Sequence, residues 1–189
     1  MQGVAEDATA MTDLERLRYP VGRAPRETAP LDVRGRAELI EILEQAPATL
    51  RALVKGLTDA QLDTPYRPGG WTIRQVIHHL PDSHMHAYVQ MKLAATEDAP
   101  AVKTYEESLW AELPEAKSAP IAMSLDLLDA LHRRWVAFLR ALPDAEFRKT
   151  YTHPELGPVT VDAALRMYAW HCRHHAAHVK IGIEGTTRV

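Results

Sequence analysis

The sequence predicts an all-α fold: a four-helix bundle with a long central connection and a small hairpin before the last helix. Four long segments carry apolar residues at alternating spacings of three and four, the period of a helix with one buried face. No internal repeat or low-complexity tract competes with that pattern. The chain of 189 residues is long enough for one domain with a sizeable core and too short to expect two. Four helices in one such domain argue for a bundle.

Residues 1–30, rich in Pro, Arg and Ala, read as an extended arm, within which Met11 offers a second translation start; residues 31–189 read as the single domain. In the first helix Leu39, Leu43, Ala46, Leu50, Leu53 and Leu57 form the inward stripe, and Pro47 predicts a kink. Thr58-Asp59 can cap a short turn, and Thr64 to Gly70 form a loop. The second helix is expected from Thr72, its cap, to about Ala95, with Ile73, Val76, Ile77, Leu80, Ala87 and Met91 buried. Pro81 cannot donate to the Ile77 carbonyl, which predicts a bend close to His79. Residues 96–120 look irregular, with Tyr105 to Trp110 as a short helix over the bundle. A third helix from about Ser124 to Leu142 turns Leu128, Leu131, Trp135, Phe138 and Leu142 inward and stops at Pro143. Pro154, Gly157 and Pro158 between Tyr151 and Val161 suggest the hairpin. The last helix starts around 160–162 and reaches Glu184, with Gly185 just past its end.

Composition excludes several classes of function. A net charge of −3 gives no basic field for nucleic acid and no polybasic membrane patch. One cysteine, Cys172, allows neither an intramolecular disulfide nor a four-thiolate zinc cluster. The acidic N-terminal stretch lacks the apolar core of a secretory signal, and no apolar run approaches the ~20 residues of a membrane span. A soluble cytoplasmic protein with a small-molecule substrate is the expectation.

Chemistry concentrates in histidines. His171, His174, His175 and His178 fall within eight residues near the end of the last helix. His174 and His178 lie one turn apart, roughly 6 Å along the axis, so both can reach one metal ion. A third donor from a facing helix would leave a coordination position open, as catalytic zinc sites do. Ala164, Met167, His171, His174, His178 and Ile181 share spacings of three and four, which puts the histidines on the core-facing side. Periodicity alone leaves the pair open, because His171 and His175 are also four apart. Core histidines satisfied by hydrogen bonds, or a solvated histidine-rich surface, are the plainer alternatives. A second cluster, His78, His79, His84 and His86, lies on the second helix. Asp82 and Ser83, one turn from His79, could orient an imidazole, and Glu106 and Glu107 could act as general bases if the connection covers the site. His132 and His153 either are structural, the reading favoured for both, or line the pocket.

The run Leu62 to Arg67, then Gly69-Gly70-Trp71-Thr72-Ile73-Arg74-Gln75-Val76-Ile77-His78-His79-Leu80, resembles the DinB-like superfamily and, within it, the YfiT-like metal-dependent hydrolases. Asp82-Ser83-His84, Tyr105-Glu106, Trp110, Leu131-His132 with Trp135, Tyr151 with His153-Pro154, and Trp170 to His178 carry the same resemblance, which spans Tyr19 to Glu184. It implies a four-helix bundle, a cytoplasmic homodimer, and one divalent metal per chain, zinc ahead of nickel, held by three histidines. Carried onto this chain, those are His79, His174 and His178, with His171 and His175 as neighbours. Pro81 departs from the family pattern, which has a small helix former there. The implied activity is metal-dependent hydrolysis, the metal acidifying water and Asp82 or Glu106 moving the proton. An alternative within the superfamily is thiol S-transfer, using bacillithiol or a related low-molecular-weight thiol. A metal-binding module without turnover is a third reading. Cys172 reads as a packed thiol in each.

Overall fold

The computed structural model describes residues 13–186, so the first twelve residues of the expected arm, Met11 among them, lie outside the described residues. Its helices are α1 (Asp13–Arg18), α2 (Val33–Leu53), α3 (Asp59–Leu62), α4 (Ile73–Thr96), α5 (Glu107–Trp110), α6 (Pro114–Ser118), α7 (Ile121–Ala141) and α8 (Val161–Thr186). A 3-10 turn at Asp144–Arg148 and a two-stranded hairpin, β1 (Thr150–His153) and β2 (Gly157–Thr160), precede α8. The four long helices close a ring: α2 packs on α7 and α8, and α4 packs on the same two.

Local chemistry sets the helix starts. The Asp32 carboxylate accepts from Gly35 N at 2.7 Å and caps α2. Thr58 and Thr72 each close a capping box, with Gln61 and Gln75 respectively. Gln75 also donates to the Ala111 carbonyl at 2.7 Å, tying the central connection to the start of α4. The antiparallel hairpin pairs Tyr151 with Val159 and His153 with Gly157, whose φ of 71° suits glycine in the turn. Thr152 exchanges backbone bonds with Pro100 and Val102, so β1 also holds the end of α4.

Helix α4 runs through Pro81, within the span expected for it; neighbouring helices supply the packing that carries it past one missing bond. Three details depart from the sequence expectations. The arm contains a short helix, α1, beside α8. Helix α7 begins at Ile121, three residues early, after Pro120. Gly185 lies inside the last turn of α8, a shift of the size common at helix ends.

The core consists of two apolar halves with a histidine stratum between them. One half gathers Leu43, Ala87, Met91, Trp135, Leu139, Leu165 and Cys172; the other gathers Leu50, Ile73, Ile77, Leu80, Leu128 and Val179. Between them in sequence lie His84 on α4, His132 on α7, and His174, His175 and His178 on α8, with His79 one residue before Leu80. Gly182 sits where a Cβ would approach Ile73 Cγ1 to 2.7 Å, so α8 and α4 meet closely just beyond the histidines. At the far end, the Arg36 guanidinium on α2 grips buried Asp162 with two bonds, of 2.8 and 3.0 Å, and Asp162 also accepts from Leu31 N.

Candidate metal centre

His79 on α4 and His171 and His175 on α8 each bring one ring nitrogen to a common point, all within 4.8 Å of one another. His79 Nε2 lies 3.3 Å from His171 Nε2. The ring centres of His171 and His175 are 4.4 Å apart, as one helical turn dictates, and that of His79 is 4.9 Å from His175. Burial holds all three imidazoles neutral: His79 is pushed down to about 4 by desolvation, and His171 and His175 fall well below the ordinary histidine value, chiefly for the same reason. Neutral imidazole is the form that ligates metal, and three such donors fit an ion that keeps an open position.

Of the three expected ligands, His79 is at this convergence and His174 and His178 are not; no three-donor group among the described residues includes either. Val161, Leu165, Cys172 and Val179 mark the inward line of α8, and of the four histidines position 175 falls nearest to it. His178 lies roughly 60° and His174 roughly 100° around the helix from His175, whereas His171 and His178, seven residues apart, differ by only about 20° and are separated by two turns along the axis. His174 stacks on Trp170 at 4.3 Å, and its buried Nδ1 has no hydrogen-bond partner among the described residues. His178 stacks on Tyr66 at 3.9 Å.

The outer nitrogens of the two α8 donors enter hydrogen-bonded chains. His171 Nδ1 is 2.9 Å from His84 Nε2, His84 Nδ1 is 2.7 Å from His132 Nε2, and His132 Nδ1 meets the Leu43 carbonyl at 2.5 Å. His175 Nδ1 is 3.4 Å from His178 Nδ1, whose Nε2 lies 3.3 Å from the Arg18 carbonyl at the end of α1. The Tyr105 hydroxyl, from the central connection, reaches within 3.5 Å of His79 Nδ1, and Trp71 packs 4.8 Å from the His79 ring.

The expected proton carriers stand further out. Asp82 is half-buried, three residues after His79, and desolvation raises its carboxyl above the ordinary aspartate value. Glu106 is exposed at the start of α5 and makes no capping bond with its side chain. Cys172 is buried, its thiol pushed up to about 12, which suits the packed role expected of it. His84 comes from the histidine cluster expected on α4, and His132, expected to be structural or to line the pocket, joins it through a hydrogen bond; Tyr105 beside His79 has no signal in the helical period.

Residues 42–179 match the model of the DinB superfamily. YfiT of Bacillus subtilis strain 168, assigned by name to the metal-dependent hydrolases, is 47% identical over 165 residues, covering 86% of this chain and 92% of its own. A relative from Bacillus mycoides strain KBAB4, named likewise, is 47% identical over 163 residues, covering 86% of this chain and 93% of its own. The solved structure of Bacillus subtilis YfiT, described as having an unusual four-helix bundle topology, superposes with a TM-score of 0.87 at 43% identity, covering 91% of this chain and 98% of that one. The histidine stratum described above therefore sits in a fold shared over nearly its full length, and the chain belongs to the DinB superfamily.

Proposed function

We propose that this chain is a metal-dependent hydrolase in which His79, His171 and His175 hold one divalent ion, zinc or nickel. The observation that carries the reading is the convergence of three neutral imidazoles, two buried and that of His171 half-buried, with no carboxylate or cysteine among them. Buried imidazoles facing each other in a core are costly without a partner, and a cation supplies one for all three. When bound, such an ion acts as a Lewis acid and brings the pKa of water toward ~7. The relatives' names favour hydrolysis as the use of that property.

The chain's own residues do the rest. His79, His171 and His175 bind, and Tyr105 lies where its hydroxyl can steady His79. Asp82 is the better supported of the two proton carriers, since its raised carboxyl pKa suits a base one turn from a ligand, whereas Glu106 faces solvent. The substrate is a small molecule. No helix among the described residues is long and apolar enough to cross a membrane. Cytoplasmic location and a homodimer, checked by sedimentation velocity, belong to the same proposal.

Elemental mass spectrometry tests the ligand set. About one zinc or nickel per chain is expected in the wild type, lost in His79→Ala, His171→Ala and His175→Ala and kept in His174→Ala. No metal after incubation with Zn²⁺ or Ni²⁺, or loss confined to His174→Ala and His178→Ala, overturns the assignment. Ester hydrolysis that needs the metal and no added thiol supports the reaction. Turnover only with a low-molecular-weight thiol would move it to S-transfer.

A further inference from the structure

We propose that the Leu43 carbonyl, freed by Pro47, fixes which nitrogen His171 presents to the metal site, with His132 and His84 as the positioning residues that transmit the choice. This deepens the metal-site reading and rests on it for its functional meaning, while its structural content stands without any ion.

The chain of reasoning starts at the backbone. Pro47 lies inside α2 and has no N–H to give the carbonyl four residues back, which is that of Leu43. A buried carbonyl needs a donor, and His132 Nδ1 on α7 provides it. A carbonyl only accepts, so the proton of His132 sits on Nδ1. A neutral imidazole carries one N–H, which leaves His132 Nε2 as an acceptor. The 2.7 Å contact to His84 then requires the proton on His84 Nδ1, and the 2.9 Å contact beyond it requires the proton on His171 Nδ1. His171 Nε2 is left bare, and it is this nitrogen that stands 3.3 Å from His79 Nε2. Reversing any one ring would set two lone pairs, or two N–H groups, against each other inside 3 Å. Both halves of the apolar core enclose the chain, so a second proton on any ring is disfavoured by desolvation.

The same logic applies once more on α8. Arg18 is the last residue of α1, so its carbonyl is one that the helix itself leaves without a partner. It accepts from His178 Nε2, His178 Nδ1 accepts from His175 Nδ1, and His175 Nε2 is left bare. His84, His132 and Cys172 also form a cluster of potential donors. Both nitrogens of His84 are already engaged in hydrogen bonds and the thiol keeps its proton, so the tautomer chain, not a second metal, accounts for that cluster.

Long-range ¹H–¹⁵N spectra of the metal-free protein read the tautomers directly, because protonated and bare ring nitrogens resonate apart; single histidine substitutions give the assignments. Expected in the wild type are Nδ1–H forms of His132, His84 and His171. In His132→Phe, His84 loses its acceptor and is free to turn its proton to Nε2, which would drive His171 to the Nε2–H form and weaken Zn²⁺ binding about 10–100-fold. Pro47→Ala restores a backbone donor to Leu43 but leaves the carbonyl a second lone pair for His132, so the His171 tautomer should hold there. A purely structural role would lower the melting temperature of His132→Phe and leave the His171 tautomer alone. An Nε2–H form of His171 in the wild type, an unmoved His171 tautomer in His132→Phe, or a second Zn²⁺ bound by His84 and His132, overturns the proposal. A wild type with the expected tautomers that binds no Zn²⁺ would instead defeat the hydrolase reading alone.

Discussion

The two histidine chains behind His171 and His175 are built alike and held differently. Both run from a proposed ligand to a backbone carbonyl that its own helix cannot satisfy, the first through His84 and His132 and the second through His178 alone. The His171 chain has contacts of 2.9, 2.7 and 2.5 Å and ends inside the bundle, on α2. The His175 chain has contacts of 3.4 and 3.3 Å and ends on α1, a six-residue helix that buries none of its side chains. Nitrogen–nitrogen and nitrogen–oxygen separations beyond 3.2 Å are weak hydrogen bonds. One ligand is therefore locked by the core, and the other is steered by a peripheral element that can yield. A metal site with one rigid and one compliant donor on the same helix can keep its register while its geometry adapts.

The largest effects come from erasing the comparison altogether. Alanine at His79, His171 or His175 should abolish stoichiometric metal, read by elemental analysis, because two imidazoles alone form an incomplete site. Next come the two relays. His84→Phe, which cuts the tight chain beside His171, should raise the Kd for Zn²⁺ toward the upper end of the 10–100-fold range seen for outer partners of metal ligands. His178→Phe keeps a ring on Tyr66 but removes the acceptor for His175, and its cost should sit near the lower end, about tenfold. Equal losses in a competition titration would show that contact length does not rank the chains. A larger loss in His178→Phe would invert the comparison.

How much of this was readable beforehand follows the same division between local and long-range cause. The four long helices were legible because each buries a stripe with its own period, and Thr58 and Thr72 announce their caps. Helix α1 was not, since residues 13–18 hold only the pair Leu14 and Leu17, too short a run to show a period, and bury none of their side chains. Both His-x-x-x-His pairs fit the periodicity of α8 equally. Cys172 and Val179 mark a core line that passes near position 175, but His171 and His178 share nearly one phase, so the line alone does not choose between the pairs; the convergence on His79 favours His171 with His175, and the family resemblance His174 with His178. Pro47 was legible as a break in hydrogen bonding and read as a kink. That the freed carbonyl meets His132 depends on how α2 packs on α7, 89 residues away, and no local pattern encodes it.

The smallest expected effect on the metal comes from the other buried polar contact of α8. Arg36 and Asp162 are both nearly inaccessible, at 6% and 1% exposure, and join α2 to the start of α8 through two charge-assisted bonds. Asp162→Asn removes the buried counter-charge of Arg36 and leaves it the exposed carboxylate of Asp144 at 3.2 Å, a loss of about 3 kcal/mol. For a domain of this size that is a fall in Tm on the order of 10 °C. A typical stability of about 5–15 kcal/mol would still leave the chain folded at 25 °C. Nine residues separate Asp162 from His171, and no hydrogen bond links it to either histidine chain, so Zn²⁺ affinity should stay within about twofold of wild type. His132→Phe should show the opposite pairing, with metal affinity falling well beyond what its change in Tm explains. If Asp162→Asn weakened Zn²⁺ binding as much as His132→Phe does, general loosening of α8 would account for both, and the histidine chains would lose their claim to a specific role.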